Sequence, residues 1–263
     1  MRVAVALAVF LSACGGSAPQ LPDPKLPPRV IDLTHTLDAK TISWPTSPSS
    51  FRRENLSYGR NPGGFFYTAG RFEGVEHAGT HLDAPVHFLE GGATVEKLPV
   101  ERFGGPAVVI DISARAAKDT DTLVTPRDLD DFERKHGRIQ PGTIVLLRTG
   151  WASRWPDRKR YMGDDTPGDA THLHFPGLGP DAARALVERQ IAAVGIDTAS
   201  IDHGPSHDFA THQVLAAAGV PIFENVASLA DLPPRGALVV ALPMKIGAGS
   251  GAPLRIVAYL PAP

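Results

Sequence analysis

Three of the chain's ten histidines fall within eleven residues, His77-Ala-Gly-Thr-His81-Leu-Asp83-Ala-Pro-Val-His87. Imidazole nitrogen and carboxylate oxygen are the ligand set of Zn2+ and Mn2+, and one aspartate has two oxygens with which to bridge two ions. His77 and His81 are four apart, which on a helix would put both on one face, as in a zinc protease. The residues between them oppose a helix. Gly79 would cost about 1 kcal/mol and Pro85 about 3 kcal/mol in a helix interior, and Thr80 is β-branched. In an extended or bulged chain, positions 77, 81, 83 and 87 share one parity, so three imidazoles and a carboxylate project to one side. No apolar core accommodates that face, and four convergent groups separated by small residues point to a metal site.

The surrounding sequence supplies elements that could position this cluster. Val30 to Leu33, Ala107 to Ile112, Thr143 to Leu147, Ala193 to Ile196, Leu238 to Leu242 and Leu254 to Tyr259 read as strands. Several are continuously apolar and therefore expected to be central. Thr125-Pro126 caps a helix that ends at Gly137, Pro180 opens another, and a third runs from Asp208 to Ala218 before Gly219. The pattern is that of an α/β domain. With no internal repeat and no second linker, residues 29–263 read as one domain. Two long stretches, 38–64 and 152–179, are expected to be irregular. They are rich in Pro, Gly and aromatic residues, and their Trp44, Trp155, Tyr161 and Phe175 either line a pocket or anchor the loops.

The 263-residue chain carries 26 basic and 28 acidic side chains, a net charge of -2. A balance this near neutral leaves no basic excess for a nucleic-acid backbone or an anionic membrane surface, so a small-molecule partner is expected. Glycine and proline make up roughly 19% of residues, high but below the range at which disorder becomes the default. Cys14 is the single cysteine, so neither an internal disulfide nor a catalytic thiol in the folded part is available. No GxSxG elbow is present, which argues against a serine hydrolase. Gly247-Ala-Gly-Ser-Gly251 lacks the Lys-Ser/Thr of a phosphate loop and lies between two strands, so it reads as a turn near the substrate.

His77-x-Gly79-Thr80-His81-x-Asp83-x-Pro85-x-His87 resembles the HxGTHxDxPxH signature of the metal-dependent cyclase family, which includes bacterial kynurenine formamidase (arylformamidase) and isatin hydrolase. All seven signature positions are present. The resemblance continues through TGW at 149–151, HFPGL at 174–178, GIDTASID at 195–202, THQVLAAAGVPIFENV at 211–226 and ALPMKI at 241–246. It implies a swivelling β/β/α fold with a mixed sheet core, dimeric or larger. It also implies that His212 and, twelve residues later, Glu224 complete a ligand set with His77, His81 and Asp83 for two ions of Zn2+ or Mn2+. His87 is by resemblance a proton shuttle instead of a ligand, a task that suits the ordinary histidine pKa. Trp44-Pro45 resembles a Trp-Pro-Gly element at the substrate pocket of relatives, with Thr46 in place of the glycine.

The activity so implied is hydrolysis of a small amide, arylformamidase-like, by water that the metal acidifies. Isatin-like, cyclic-imide or lactone hydrolysis is the alternative within the enzyme class, and Glu224 as an acidic ligand leans toward the formamidase side. A non-catalytic metal- or ligand-binding lipoprotein is the alternative outside it. The retained His87 separates the two, since a binder has no use for a proton shuttle.

At the N-terminus, Met1-Arg2 precedes an apolar run from Val3 to Leu11, too short for a membrane span and suited to the core of a secretory signal. Leu11-Ser12-Ala13-Cys14 resembles a bacterial lipoprotein box, so residues 1–14 are expected to be a lipoprotein signal. Residues 15–28 read as a flexible tether. The expected location is export, with the protein anchored through a lipid on Cys14 and facing the periplasm.

Overall fold

The computed structural model describes residues 29–47 and 51–261; the signal and tether readings lie outside these residues. The described elements are, in chain order, β1 (Arg29–Asp32), β2 (Phe51–Arg60), β3 (Phe66–Gly74), β4 (His81–Asp83), β5 (Gly104–Asp111), α1 (Ser113–Ala116), β6 (Leu123–Val124), α2 (Pro126–His136) and β7 (Ile144–Arg148). They continue with α3 (Arg158–Met162), β8 (Gly177–Leu178), α4 (Pro180–Glu188), β9 (Ala193–Ile196), α5 (Ala210–Ala217), β10 (Ile222–Glu224), β11 (Arg235–Pro243) and β12 (Gly251–Leu260).

Eight strands form one mixed sheet in the order β1-β12-β11-β5-β7-β9-β10-β4. The fourth to seventh, β5, β7, β9 and β10, run parallel, and the others pair antiparallel. Strand β4 pairs with β10 on one edge and with the start of β12 on the other, so the sheet curls round and closes on the metal-type motif. The expected mixed α/β fold with a sheet core is the one observed.

Continuously apolar strands follow from burial on both faces. Ala107, Val109, Ile144 and Leu146 turn to the inside of the curled sheet with Leu82, Phe223, Val239 and Ile256. Their neighbours Val108, Ile110, Val145 and Leu147 turn outward onto Leu129 and Phe132 of α2 and Ala182, Ala183 and Leu186 of α4. Helix α2 starts and stops where its signals place it, with Asp128 accepting from the backbone N–H of Thr125 at 2.7 Å and Gly137 leaving the helix at φ 86°. Arg115 grips the same carboxylate through two 2.8 Å contacts.

Three expectations need correction. The stretch 38–64 is not irregular throughout: Phe51–Arg60 is strand β2, paired with β3 in a separate hairpin. Neither face of that hairpin is buried, so β2 carries no apolar alternation to read. The second stretch, 152–179, contains α3 and the short β8, which pairs with β6. The third helix begins at Ala210 and not at Asp208, because Phe209 adopts a left-handed conformation (φ 50°, ψ 40°) that breaks the helical path. Among the described residues no helix is long and apolar enough to cross a membrane.

Candidate metal centre

Strand β4 supplies the middle of the site. Its period of two sends His81 and Asp83 to one face and Leu82 into the core, and its register with β10 sets Glu224 directly opposite His81. Glu224 ends a parallel strand, where α/β sheets build ligand sites. The shared parity, however, holds only for His81 and Asp83. His77 precedes a bend at Gly79 (φ 62°), where an added Cβ would lie 2.7 Å from Leu37 Cδ2. His87 ends a single 3-10 turn, Pro85–His87. The four groups converge as expected, but through a bend and a turn and not along one extended strand. Helix α5 then carries His212 to the cluster from the far end of the sequence.

The contacts are close. His77 Nδ1 lies 2.6 Å from Asp83 Oδ1; His81 Nε2 lies 3.1 Å from Asp83 Oδ1 and 3.4 Å from Glu224 Oε2. His212 Nε2 lies 3.2 Å from Asp83 Oδ2 and 3.3 Å from Glu224 Oε1. Among the described residues, the ligand atoms of His77, Asp83 and His87 fall within 4.8 Å of one another, as do those of His81, Asp83 and Glu224. Asp83 is shared by the two groups, and His87 has a ligand's position as well as a shuttle's.

Proton counting shows what such a centre requires. His81 Nδ1–H donates to the Gly79 carbonyl at 2.9 Å, and His212 Nδ1–H donates to Asp202 Oδ2 at 2.6 Å. In the neutral imidazoles this leaves both Nε2 lone pairs directed at carboxylate oxygens, and the buried His81 Nε2 has no hydrogen-bond partner. Lone pair against anion is repulsive unless a proton or a cation lies between them. In the protein without metal, protons take that place. Burial disfavours charge on His81, yet once Nε2 is protonated the Asp83 carboxylate 3.1 Å away, and then Glu224, outweigh it and raise its pKa to about 10. Burial acts the same way on His212, and Asp202, Asp83 and Glu224 hold its pKa well above the ordinary value. Burial would raise Asp83, but His77, His212 and His81 hold it well below the usual carboxylate range. The donor set of imidazoles and two carboxylates fits a divalent cation, which would replace these protons.

A cavity of about 260 Å³ opens on the cluster. His77, His81, His87, His212 and Glu224 line it together with Ile42, Trp44, Phe88 and Phe209. Trp44 stands in the pocket wall, as its position in the sequence implied. Trp155 stacks on His35 at a separate surface cavity, while Tyr161 and Phe175 are buried anchors. His87 stacks on His77 with centroids 3.9 Å apart, and although its outer edge is exposed, desolvation of the ring between His77 and Phe88 lowers its pKa to about 4. It is therefore neutral at pH 7, and a weaker base than the ordinary imidazole on which the shuttle expectation rested.

The sequence reading missed Phe88 and Phe209 as pocket walls, Asp202 as the partner of His212, and Ser200, whose buried Oγ lacks a partner at the cavity. Phe88 directly follows His87, and Asp202 closes the GIDTASID run, but nothing in their spacing distinguishes them from packing residues.

The Cyclase family model matches residues 31–203. Isatin hydrolase of Roseibium aggregatum is 34% identical over 194 residues, 71% of this chain and 72% of its own length. Kynurenine formamidase of Salinibacter ruber is 28% identical over 87% of this chain and 96% of its own. Among solved structures, isatin hydrolase A from Labrenzia aggregata superposes with a TM-score of 0.81 at 35% identity, covering 89% of this chain and 94% of that one. A potential metal-dependent hydrolase with cyclase activity superposes at 0.67 with 28% identity, covering 89% and 99%.

Proposed function

The chain belongs to the cyclase family, and on that premise we propose that it is a metal-dependent hydrolase of an amide C–N bond in a small aromatic substrate. The observation that carries this is the buried cluster of imidazole lone pairs facing Asp83 and Glu224 beside an aromatic-walled cavity. Within the class, an isatin-type cyclic amide is favoured over an aryl formamide by the 34% identity to isatin hydrolase against 31% to a kynurenine formamidase over the same 71% of this chain, and by the TM-score of 0.81 to isatin hydrolase A. The preference reverses the lean that Glu224 alone suggested.

His77, His81, His212, Asp83 and Glu224 would hold two divalent cations, Zn2+ or Mn2+. Bound there, such a cation would polarise the scissile carbonyl and would lower the pKa of water from 15.7 to about 7. Trp44, Ile42, Phe88 and Phe209 bind and orient an aromatic ring, and their apolar surface excludes bulk water. The Ser200 hydroxyl offers a hydrogen bond to a substrate polar atom. As the water oxygen adds to the carbonyl carbon and the C–N bond breaks, neutral His87 takes the water's proton and passes it to the leaving nitrogen. Purified protein reloaded with Zn2+ or Mn2+ and offered isatin, aryl formamides and cyclic imides tests the reading. Turnover that chelation abolishes and metal restores is expected. Metal binding without turnover of any of them would leave the binding-protein alternative standing.

The N-terminal pattern supports export and anchoring through a lipidated Cys14; mass spectrometry of wild type and Cys14→Ser checks it. A homodimer is supported by the β2–β3 hairpin, which exposes Leu56, Tyr58, Phe65, Phe66, Tyr67 and Phe72 by 52–74%. An isolated two-stranded hairpin is marginal in water. At about 200 Å² per large side chain, these six offer roughly 700 Å², near the about 800 Å² that each partner gives to a standard interface. Light scattering of wild type and a Tyr58→Glu, Phe66→Glu variant tests a second copy as the occupant; a monomeric wild type would exclude it.

A further inference from the structure

We infer that Ser250, in the Gly247-Ala-Gly-Ser-Gly251 turn, is a positioning residue that fixes which nitrogen of His77 faces the metal centre. The inference rests on the metal reading of the site. The turn joins β11 to β12 and carries the glycine-rich run Gly247 to Gly251, which the proposed chemistry does not use.

The argument is one of donors and acceptors. Glu76 Oε2 accepts from the backbone N–H of Ser250 at 3.0 Å, from its hydroxyl at 2.6 Å and from the N–H of Gly251 at 3.3 Å. A carboxylate only accepts, so the single hydroxyl proton of Ser250 is committed to Glu76. The Ser250 oxygen also lies 3.0 Å from His77 Nε2, and with its proton spent it can only accept there. His77 therefore carries a proton on Nε2, which leaves Nδ1, 2.6 Å from Asp83 Oδ1, as the nitrogen whose lone pair a cation would take in place of the proton shared there without metal. His81 and His212 are set the same way by single acceptors, the Gly79 carbonyl and Asp202. For His77 the acceptor is a carboxylate acting through a serine.

Gly251 belongs to the same device. A Cβ there would lie 2.4 Å from His77 Cε1 and 2.8 Å from the Leu82 carbonyl, so only glycine lets the turn approach the ring. The turn and the imidazole are in van der Waals contact, and the serine next to that contact holds the ring's outer nitrogen.

Partners that orient metal-binding histidines are worth about 10–100-fold in metal affinity. The test is Zn2+ affinity by chelator competition on the metal-free full chain, with the His77 tautomer read from 15N-histidine spectra of the Zn2+-loaded protein. Ser250→Ala should weaken Zn2+ binding by about 10–100-fold and lose the single Nε2–H tautomer at His77, while the metal-free protein melts as wild type does. Ser250→Thr, which keeps the hydroxyl, should bind as wild type does. Unchanged affinity and tautomer in Ser250→Ala would overturn the inference, as would a Ser250→Thr variant that binds as weakly as Ser250→Ala. A wild type that binds no Zn2+ would instead overturn the metal reading beneath it.

Discussion

Asp83 and Asp197 are buried carboxylates of the same sheet, 3% and 1% exposed, with opposite surroundings. Asp197, just past β9, accepts from the N–H and hydroxyl of Thr149 at 2.8 and 2.6 Å and from the N–H groups of Gly150 and Trp151 at 2.9 and 3.0 Å. Its partners are fixed donors that belong to the TGW turn and need no cation, although burial outweighs them and pushes its pKa above the ordinary aspartate value. Asp83 meets three imidazoles, whose proton-bearing nitrogens are all already committed elsewhere. Burial of a carboxylate is therefore not the mark of a site. The mark is a partner set that stays incomplete until a cation or extra protons arrive.

The largest effect that could sharpen this contrast comes from crossing the two carboxylates. Asp83→Asn should bind Zn2+ or Mn2+ at least about 100-fold more weakly, beyond the range of outer-partner mutations, and lose turnover with it. Asp197→Ala should keep one-to-one metal content with wild type while losing about 3 kcal/mol of stability, because Thr149, Gly150 and Trp151 donors are left unpaired. Metal analysis and urea unfolding on both variants read the two outcomes. If Asp197→Ala loses metal and Asp83→Asn does not, the assignment is reversed.

His87 lies between the two cases, beside the cluster yet open to solvent. His87→Ala should retain metal and fold and lose a factor of about 10² to 10⁴ in turnover at saturating metal. Loss of bound metal in that variant would instead make His87 a ligand beside His77 and Asp83.

The smallest effect belongs to a third carboxylate, Asp128, which is wholly structural. Burial raises its pKa, but the hydrogen bonds of Arg115 and of the Thr125 backbone outweigh this and lower it. A folded-state value below the unfolded one gives stability that is present above the ordinary aspartate pKa of about 3.9 and fades as pH falls through the lower folded value. Asp128→Asn should cost about 1 kcal/mol at neutral pH, typical of a helix cap. It should also flatten the acid limb of the stability curve, with metal affinity untouched; an unaltered acid limb would refute the pairing.

Much of this was legible in the residues. The apolar runs that became β5, β7 and β9 were readable because strands buried on both faces are constrained at every position. Helix α2 was readable because its cap, first-turn proline and terminal glycine are local chemistry. The four site residues of the 77–87 segment were readable because their types cluster within a few residues. By contrast, β2 could not be read, since an exposed strand is set by its pairing with β3 and not by a pattern of its own.

The sequence by itself determined the ligand types, the α/β alternation and the local turns, because each depends on neighbours a few residues away. The family resemblance had already joined His212 and Glu224 to the motif; only the tertiary structure decided that Glu224 faces His81 across a strand pair, that His212 Nε2 comes within 3.2 Å of Asp83, and that Ser250 reaches His77 across 173 residues of chain. Those meetings depend on how the sheet curls and closes at β4, where one register and one bend at Gly79 set every distance in the centre.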